Sequence, residues 1–102
     1  MKTYRELEMQ VIQWGEARGI VQNSTPMAQY KKTREEVGEL HDAIYTNDRA
    51  AMMDAYGDIL VTLIMGCATA DIDLVSCLEL AYNEIKDRKG YLNADGVFVK
   101  EV

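Results

Sequence analysis

Twelve consecutive residues, Ile59 to Ala70 (ILVTLIMGCATA), carry no charge, and Asp58 and Asp71 bracket them. A run this short does not cross a bilayer as a helix, which needs about 20 apolar residues. Over LVTLIMGCA it is apolar almost all round, so as a helix it has to be covered on more than one side. The chain has 102 residues, enough for one domain with a small core. A single layer of helices of that size hardly covers such an element. We therefore expect a homodimer, or a dimer of dimers, with this helix near its centre.

The rest of the chain reads as an all-α, four-helix bundle in a single domain, 1–102, with a short C-terminal hairpin or extended tail. Thr3 and Glu6 form a T-x-x-E capping box that opens a first helix over about 3–17. Its apolar positions Tyr4, Leu7, Val11 and Trp14 recur at the spacing of one helix face. GIVQNSTP reads as a loop, with Thr25 as N-cap and Pro26 at the first position of a second helix, 26–45. Tyr30, Val37, Leu40 and Ile44 form its expected core stripe. Asn47 or Thr46 caps the third helix, 48–70, and Asp71 or Asp73 caps a fourth, 73–89, with Leu74, Leu78, Ala81, Tyr82 and Ile85 facing inward. Gly90 ends the fourth helix, whose cationic last turn suits the negative pole of the helix dipole. The tail, 90–102, contains N-A-D-G and reads as a small hairpin.

A net charge of −6 argues against nucleic acid or an anionic membrane as a partner. It does not argue against a phosphorylated small molecule if divalent cations bridge the negative charges. Two cysteines, Cys67 and Cys77, in apolar helical surroundings read as reduced, buried thiols, and MKTYRELEMQ has no apolar signal region. Both features point to the cytoplasm.

The acids are arranged unusually. Glu35, Glu36 and Glu39 fall within an arc of roughly 100° on the second helix, with Glu36 about 40° from the core residue Leu40. On the third helix Asp54 and Asp58 lie one turn apart, in line with Val61 and Met65. Two antiparallel helices joined by a short loop would bring these groups face to face. Carboxylates converging at a core edge repel each other and resist desolvation, and a hard divalent cation such as Mg²⁺ relieves both. Periodicity alone leaves a second reading open: a solvated acidic patch paired with Lys31, Lys32, Arg34 and Arg49.

Other metal chemistries fail on residue counts. A di-iron bundle needs Glu-x-x-His twice, but the one histidine, His41, follows Gly38 at that spacing. His41-Asp42 lacks the further histidines of a metal-dependent phosphohydrolase of the HD type. The tail misses a calcium loop, because Tyr91 stands at its first ligand position. No P-loop or nucleophile elbow is present.

REEVGEL followed by DAYGDILVTLI resembles the MazG-like branch of the all-α nucleoside triphosphate pyrophosphohydrolases, whose pattern is E-E-x-x-E, a spacer, then E-x-x-D. The ending YNEIKDRKGYLNADGVFVKE is similar to short single-domain members often carried by bacteriophages. The resemblance implies Mg²⁺-dependent hydrolysis (Mn²⁺ as substitute) of a (deoxy)nucleoside triphosphate to monophosphate and pyrophosphate, by a metal-activated water attacking the α-phosphorus. Glu36, Glu39 and Asp58 are then metal ligands and, with Glu35, catalytic; Glu35 is the candidate to orient the water. The chain departs from the pattern at Ala55, where the family places a Glu, and Asp54 is the expected substitute. The family's N-x-x-K segment maps onto Asn83 and Lys86 as substrate contacts, with Arg88 and Lys100 as helpers. Trp14 is a candidate wall for the base pocket or a plain core residue.

Three rivals stand beside that reading. The same chemistry could act on an alarmone or a phosphoribosyl compound. The chain could be a non-catalytic helical dimer that binds nucleotide or protein. Or it could be a structural acidic bundle without affinity for Mg²⁺.

Overall fold

The computed structural model describes residues 1–101; Val102, the last residue of the expected tail, lies outside them. Their helices are α1 (Tyr4–Ala17), α2 (Ile20–Asn23), α3 (Pro26–Tyr45), α4 (Arg49–Thr69) and α5 (Leu74–Ile85). Strands β1 (Gly90–Leu92) and β2 (Phe98–Lys100) pair antiparallel, Tyr91 opposite Val99, to close the chain. The fold is all-α with a terminal hairpin.

Local chemistry sets most helix starts. Thr3 accepts from the Glu6 amide and Glu6 reaches back to the Thr3 amide, completing the capping box. Thr25 accepts from Ala28 N, with Pro26 in the first turn. The cap of α4 is Asp48, which accepts from Ala51 N, and neither Asn47 nor Thr46. Thr46 instead ends α3, and Asn47 turns the corner at φ 54°, a left-handed conformation that asparagine tolerates.

Three expectations are corrected. GIVQN is no plain loop: Gly19, at φ 75°, lets the chain turn into the single turn of α2. The last helix stops at Ile85, four residues short of 89, and Gly90 starts β1, so no glycine ends it. Lys86 is the cap, and Arg88 and Lys89 lie in the connection. The turn of the hairpin is as expected, with Gly96 at φ 77° and Asn93 Oδ1 accepting from the amides of Asp95 and Val97.

A three-residue connection, 46–48, folds α4 back along α3, the most extensive helix pair in the molecule. Thr33 and Thr62 mark their register: the two hydroxyls lie 2.8 Å apart across the interface. Each also reaches a carbonyl of its own helix, Gln29 O and Ile59 O. α1 crosses α4 at Gly15, where any Cβ would collide with the Met65 sulfur. Arg5 ties α1 to the start of α5, bonding the buried Glu8 carboxylate and, at 2.8 Å, Asp73. Tyr4 Oη also donates to Glu8, and burial plus that carboxylate push the Tyr4 phenol up to about 12.

α4 is, by length and composition, apolar enough to cross a membrane, a test that core helices also pass. It packs against α1, α2, α3 and α5, yet only 22% of its apolar stretch is buried within one chain. The covered apolar side chains are few: Ala43, Ala55, Ile64 and Met65. The expected stripe of the second helix is largely open in one chain, with Tyr30, Val37 and Ile44 about half exposed and Glu36 and Ala43 buried instead. On the last helix Leu78 is 66% exposed, with Tyr82 and Ile85 above half, so beyond the half-buried Leu74 its inward face is little covered among the described residues. Cys67 and Cys77 are free thiols, half-buried and not fully buried as expected.

The accessible surface is 7964 Å², about 2,000 Å² more than a compact monomer of this size exposes. The radius of gyration, 16.0 Å, exceeds the roughly 13 Å of a compact 100-residue domain. One chain leaves much of its apolar surface unburied.

Candidate metal and nucleotide site

α3 presents Glu35, Glu36 and Glu39 so that one carboxylate oxygen from each lies within 4.8 Å of the others. Glu35 and Glu39 are exposed, whereas Glu36 is 7% exposed. Its Oε1 is 3.6 Å from Lys32 Nζ, and its Oε2 is buried without a hydrogen-bond partner. A buried, unpartnered carboxylate oxygen is costly unless a cation or a proton meets it. The Glu36 carboxyl is held above its usual value first by the close approach of the Glu39 carboxyl, then by burial and by the Glu39 charge, with Lys32 opposing.

Across the interface, α4 supplies Asp54 and Asp58. Asp58 is half-buried, and burial first, then the charges of Asp54 and Glu36, raise its pKa. Its sensitivity to the Glu36 charge spans the two helices, and that to Asp54 spans one turn of α4. Of the five acids singled out in the sequence, Glu35, Glu36 and Glu39 converge, and Asp58 faces the charge of Glu36 from α4 with Asp54 beside it. Ala55, where a glutamate is missing from the pattern, is buried at 3% exposure, and Asp54 before it is exposed.

The group fits a hard divalent cation. Its donors are all carboxylates, at least one of their oxygens is orphaned, and no ion pair neutralises Glu39, Asp54 or Asp58 among the described residues. Of the four cations considered as surface partners, only Lys32 pairs with these acids; Arg34 lies over the Tyr30 ring instead, at 6.0 Å.

A cavity of about 460 Å³ opens beside Asp58, lined by Leu7, Gln10, Val11, Trp14 and Val61. Trp14 is 42% exposed there, and the Arg18 guanidinium lies 4.8 Å from its ring centroid. The first-helix stripe thus walls an open pocket and is not sealed into a core. Gln10, which periodicity does not single out, belongs to the same wall.

Asn83, Arg88 and Lys100 line a different depression, with Glu84, Asp87, Lys89 and Glu101, at the junction of α5 and the hairpin. Lys86 is exposed close by, at the end of α5. Neither α5 nor the hairpin packs against α3 among the described residues, so one chain does not bring these four residues to the acids.

Residues 24–92 match the family model of the MazG nucleotide pyrophosphohydrolase domain. The chain belongs to this family. The MazG match spans all five acids together with Asn83, Lys86 and Arg88, and leaves Trp14 and Lys100 outside it. The chain is also 33% identical, over 75 residues, to an uncharacterized 18.2 kDa protein from the rep-hol intergenic region of Haemophilus phage HP1. That alignment covers 74% of this chain and 46% of the phage protein, so the chain spans about half the length of the relative. No solved structure matches it.

The raised carboxyls fix a pH dependence. Glu36 and Asp58 keep protons in the folded, metal-free chain at pH values where the unfolded chain has lost them. The folded state then binds more protons, so this contribution is full below the unfolded pKa and is lost as pH rises through the raised values. Asp73, held low by Arg5, works the other way, losing its contribution as pH falls through its lowered value. Asp73 acts only below the usual carboxylate range, so above it the two raised groups set the slope. The metal-free midpoint of thermal unfolding is expected to fall as pH rises from the usual carboxylate range through the raised values, while an increment from added Mn²⁺ is expected to grow, because carboxylates bind a metal in their deprotonated form. Scanning fluorimetry in chelator and in Mn²⁺ across that interval checks both slopes.

Proposed function

We propose that this chain hydrolyses a nucleoside or deoxynucleoside triphosphate to the monophosphate and pyrophosphate, using Mg²⁺. The observation that carries the reading is the orphaned, buried oxygen of Glu36 in a group with Glu35 and Glu39, with the charge of Asp58 coupled to it from α4, inside a MazG match. Glu36, Glu39 and Asp58 hold the cation, and Asp54 supports Asp58 in place of the glutamate absent at Ala55. Bound there, Mg²⁺ supplies positive charge against the triphosphate and acidifies water. Glu35, exposed on the rim of the group, orients the attacking water and takes its proton. The α–β phosphoanhydride bond breaks as the new oxygen bond forms at the α-phosphorus. Trp14 offers its ring to the base in the cavity beside Asp58.

The phosphate contacts Asn83 and Lys86, with Arg88 and Lys100 as helpers, reach the acids across a homodimer. About 2,000 Å² of surplus surface per chain is in the range that a permanent dimer buries. Two unpaired half-buried thiols agree with a cytoplasmic setting. Light scattering should return the dimer mass.

Hydrolysis in water enriched in heavy oxygen tests the chemistry. The label is expected in the monophosphate; label in pyrophosphate would place attack at the β-phosphorus and contradict the assignment.

A further inference from the structure

Lys32 stands one turn ahead of Glu35 and Glu36 on α3, with Nζ 3.2 Å from Glu35 Oε1 and 3.6 Å from Glu36 Oε1. Among the described residues it is the one side-chain cation paired with this glutamate cluster, through Glu35 and Glu36, and its positive charge also reaches Asp58. Its single charge faces the three clustered glutamates and leaves Glu36 Oε2 unmet. An ammonium and a divalent ion drawn to the same carboxylates repel each other, since unit charges a few Å apart interact strongly near a protein surface. The side chain is half exposed and flexible enough to leave.

We infer that Lys32 is a built-in counter-ion, occupying the carboxylate group in the metal-free protein and displaced from it by the divalent cation. The inference rests on the metal-site reading above and adds a role for a residue that reading does not use. Lys32 neutralises part of the acid group so that the metal-free bundle holds together. By competing with the metal, it also lowers the affinity of the site. The acids then exchange one cation for another and are never left wholly unpaired.

The test uses the 102-residue chain with Mn²⁺ alone as ligand, in wild type, Lys32→Met and Lys32→Arg. Lys32→Met is expected to lower the melting temperature without metal but leave that of the Mn²⁺-loaded protein near wild type. By calorimetry it should bind Mn²⁺ about two- to fivefold more tightly, the size expected when an exposed ion pair no longer competes. Lys32→Arg, which keeps the charge, should restore both properties. Equal losses of melting temperature with and without Mn²⁺, or unchanged or weaker Mn²⁺ affinity in Lys32→Met, would overturn the displacement. If none of the three proteins binds Mn²⁺, the carboxylate site itself fails and the displacement fails with it.

Discussion

Replacing Asp58 by Asn, or Glu39 by Gln, is expected to reduce turnover by more than about a hundredfold, the range for removing one electrostatic contact to a developing charge. The same variants should stay folded. Asp58 sits half-buried against Asp54 and Glu36, and Glu39 against Glu36, so each native carboxylate is repelled by its neighbours when no cation is present. An amide of the same shape removes that repulsion and can donate a hydrogen bond to the neighbouring carboxylate. The metal-free variants should therefore melt at or above the wild-type temperature. Circular dichroism and a thermal melt, run beside a turnover assay, separate the two effects. Full activity in either variant would mean the acids are not the site; unfolding would mean they serve the bundle's structure.

Saturating Mn²⁺ should stabilise the protein substantially. A ligand present at a hundred times its Kd, binding only the folded state, adds about 2.7 kcal/mol. For a domain near 100 residues each kcal/mol moves the midpoint by about 4–8 °C, so the expected rise is roughly 10–20 °C. Excess chelator should reverse it, and Glu36→Gln should remove most of it, because Glu36 carries the unmet oxygen on the buried side of the group. A solvated acidic patch predicts a rise no larger than that given by an equal ionic strength of sodium chloride. That comparison decides between the two readings that periodicity leaves open.

The parts of this molecule that are legible in its sequence are those set by local chemistry. Thr3 with Glu6, and Thr25 with Pro26, start their helices by bonds within one turn, so residue order is enough to locate them. The acid group is legible for a related reason: helical periodicity places Glu35, Glu36 and Glu39 together, and a three-residue connection folds Asp54 and Asp58 back towards them. What was missed depends on tertiary partners. Glu8 looks like a surface acid until Arg5 and Tyr4 are seen to satisfy it in the interior. Thr33 and Thr62 are 29 residues apart, and no local pattern pairs them. The apolar stripes of α3 and α5 have the periodicity of core faces, yet Val37, Ile44, Leu78 and Ile85 remain open in one chain. A stripe states that a face is to be buried but does not name its partner. Cationic residues suit a helix C-terminus and so suggest a longer α5, but the helix ends at Ile85 and residues 90–92 are taken by the hairpin.

Ala55 is where this chain departs from the pattern it otherwise follows, and its place in the structure gives the departure a physical meaning. It is buried at 3% exposure, so the missing glutamate leaves no exposed gap that a longer neighbour could fill. Asp54, one residue earlier, is exposed, and its charge bears on Asp58 one turn on. Under the proposed metal site, Asp54 would act on the cation through Asp58.

The most direct test of the account is pyrophosphate release from a panel of nucleoside and deoxynucleoside triphosphates, with and without Mg²⁺ or Mn²⁺. The account predicts release that needs the metal, with the monophosphate appearing in equal amount, and loss of that release in Asp58→Asn. Release that persists in chelator, or phosphate in place of pyrophosphate as the product, would contradict it.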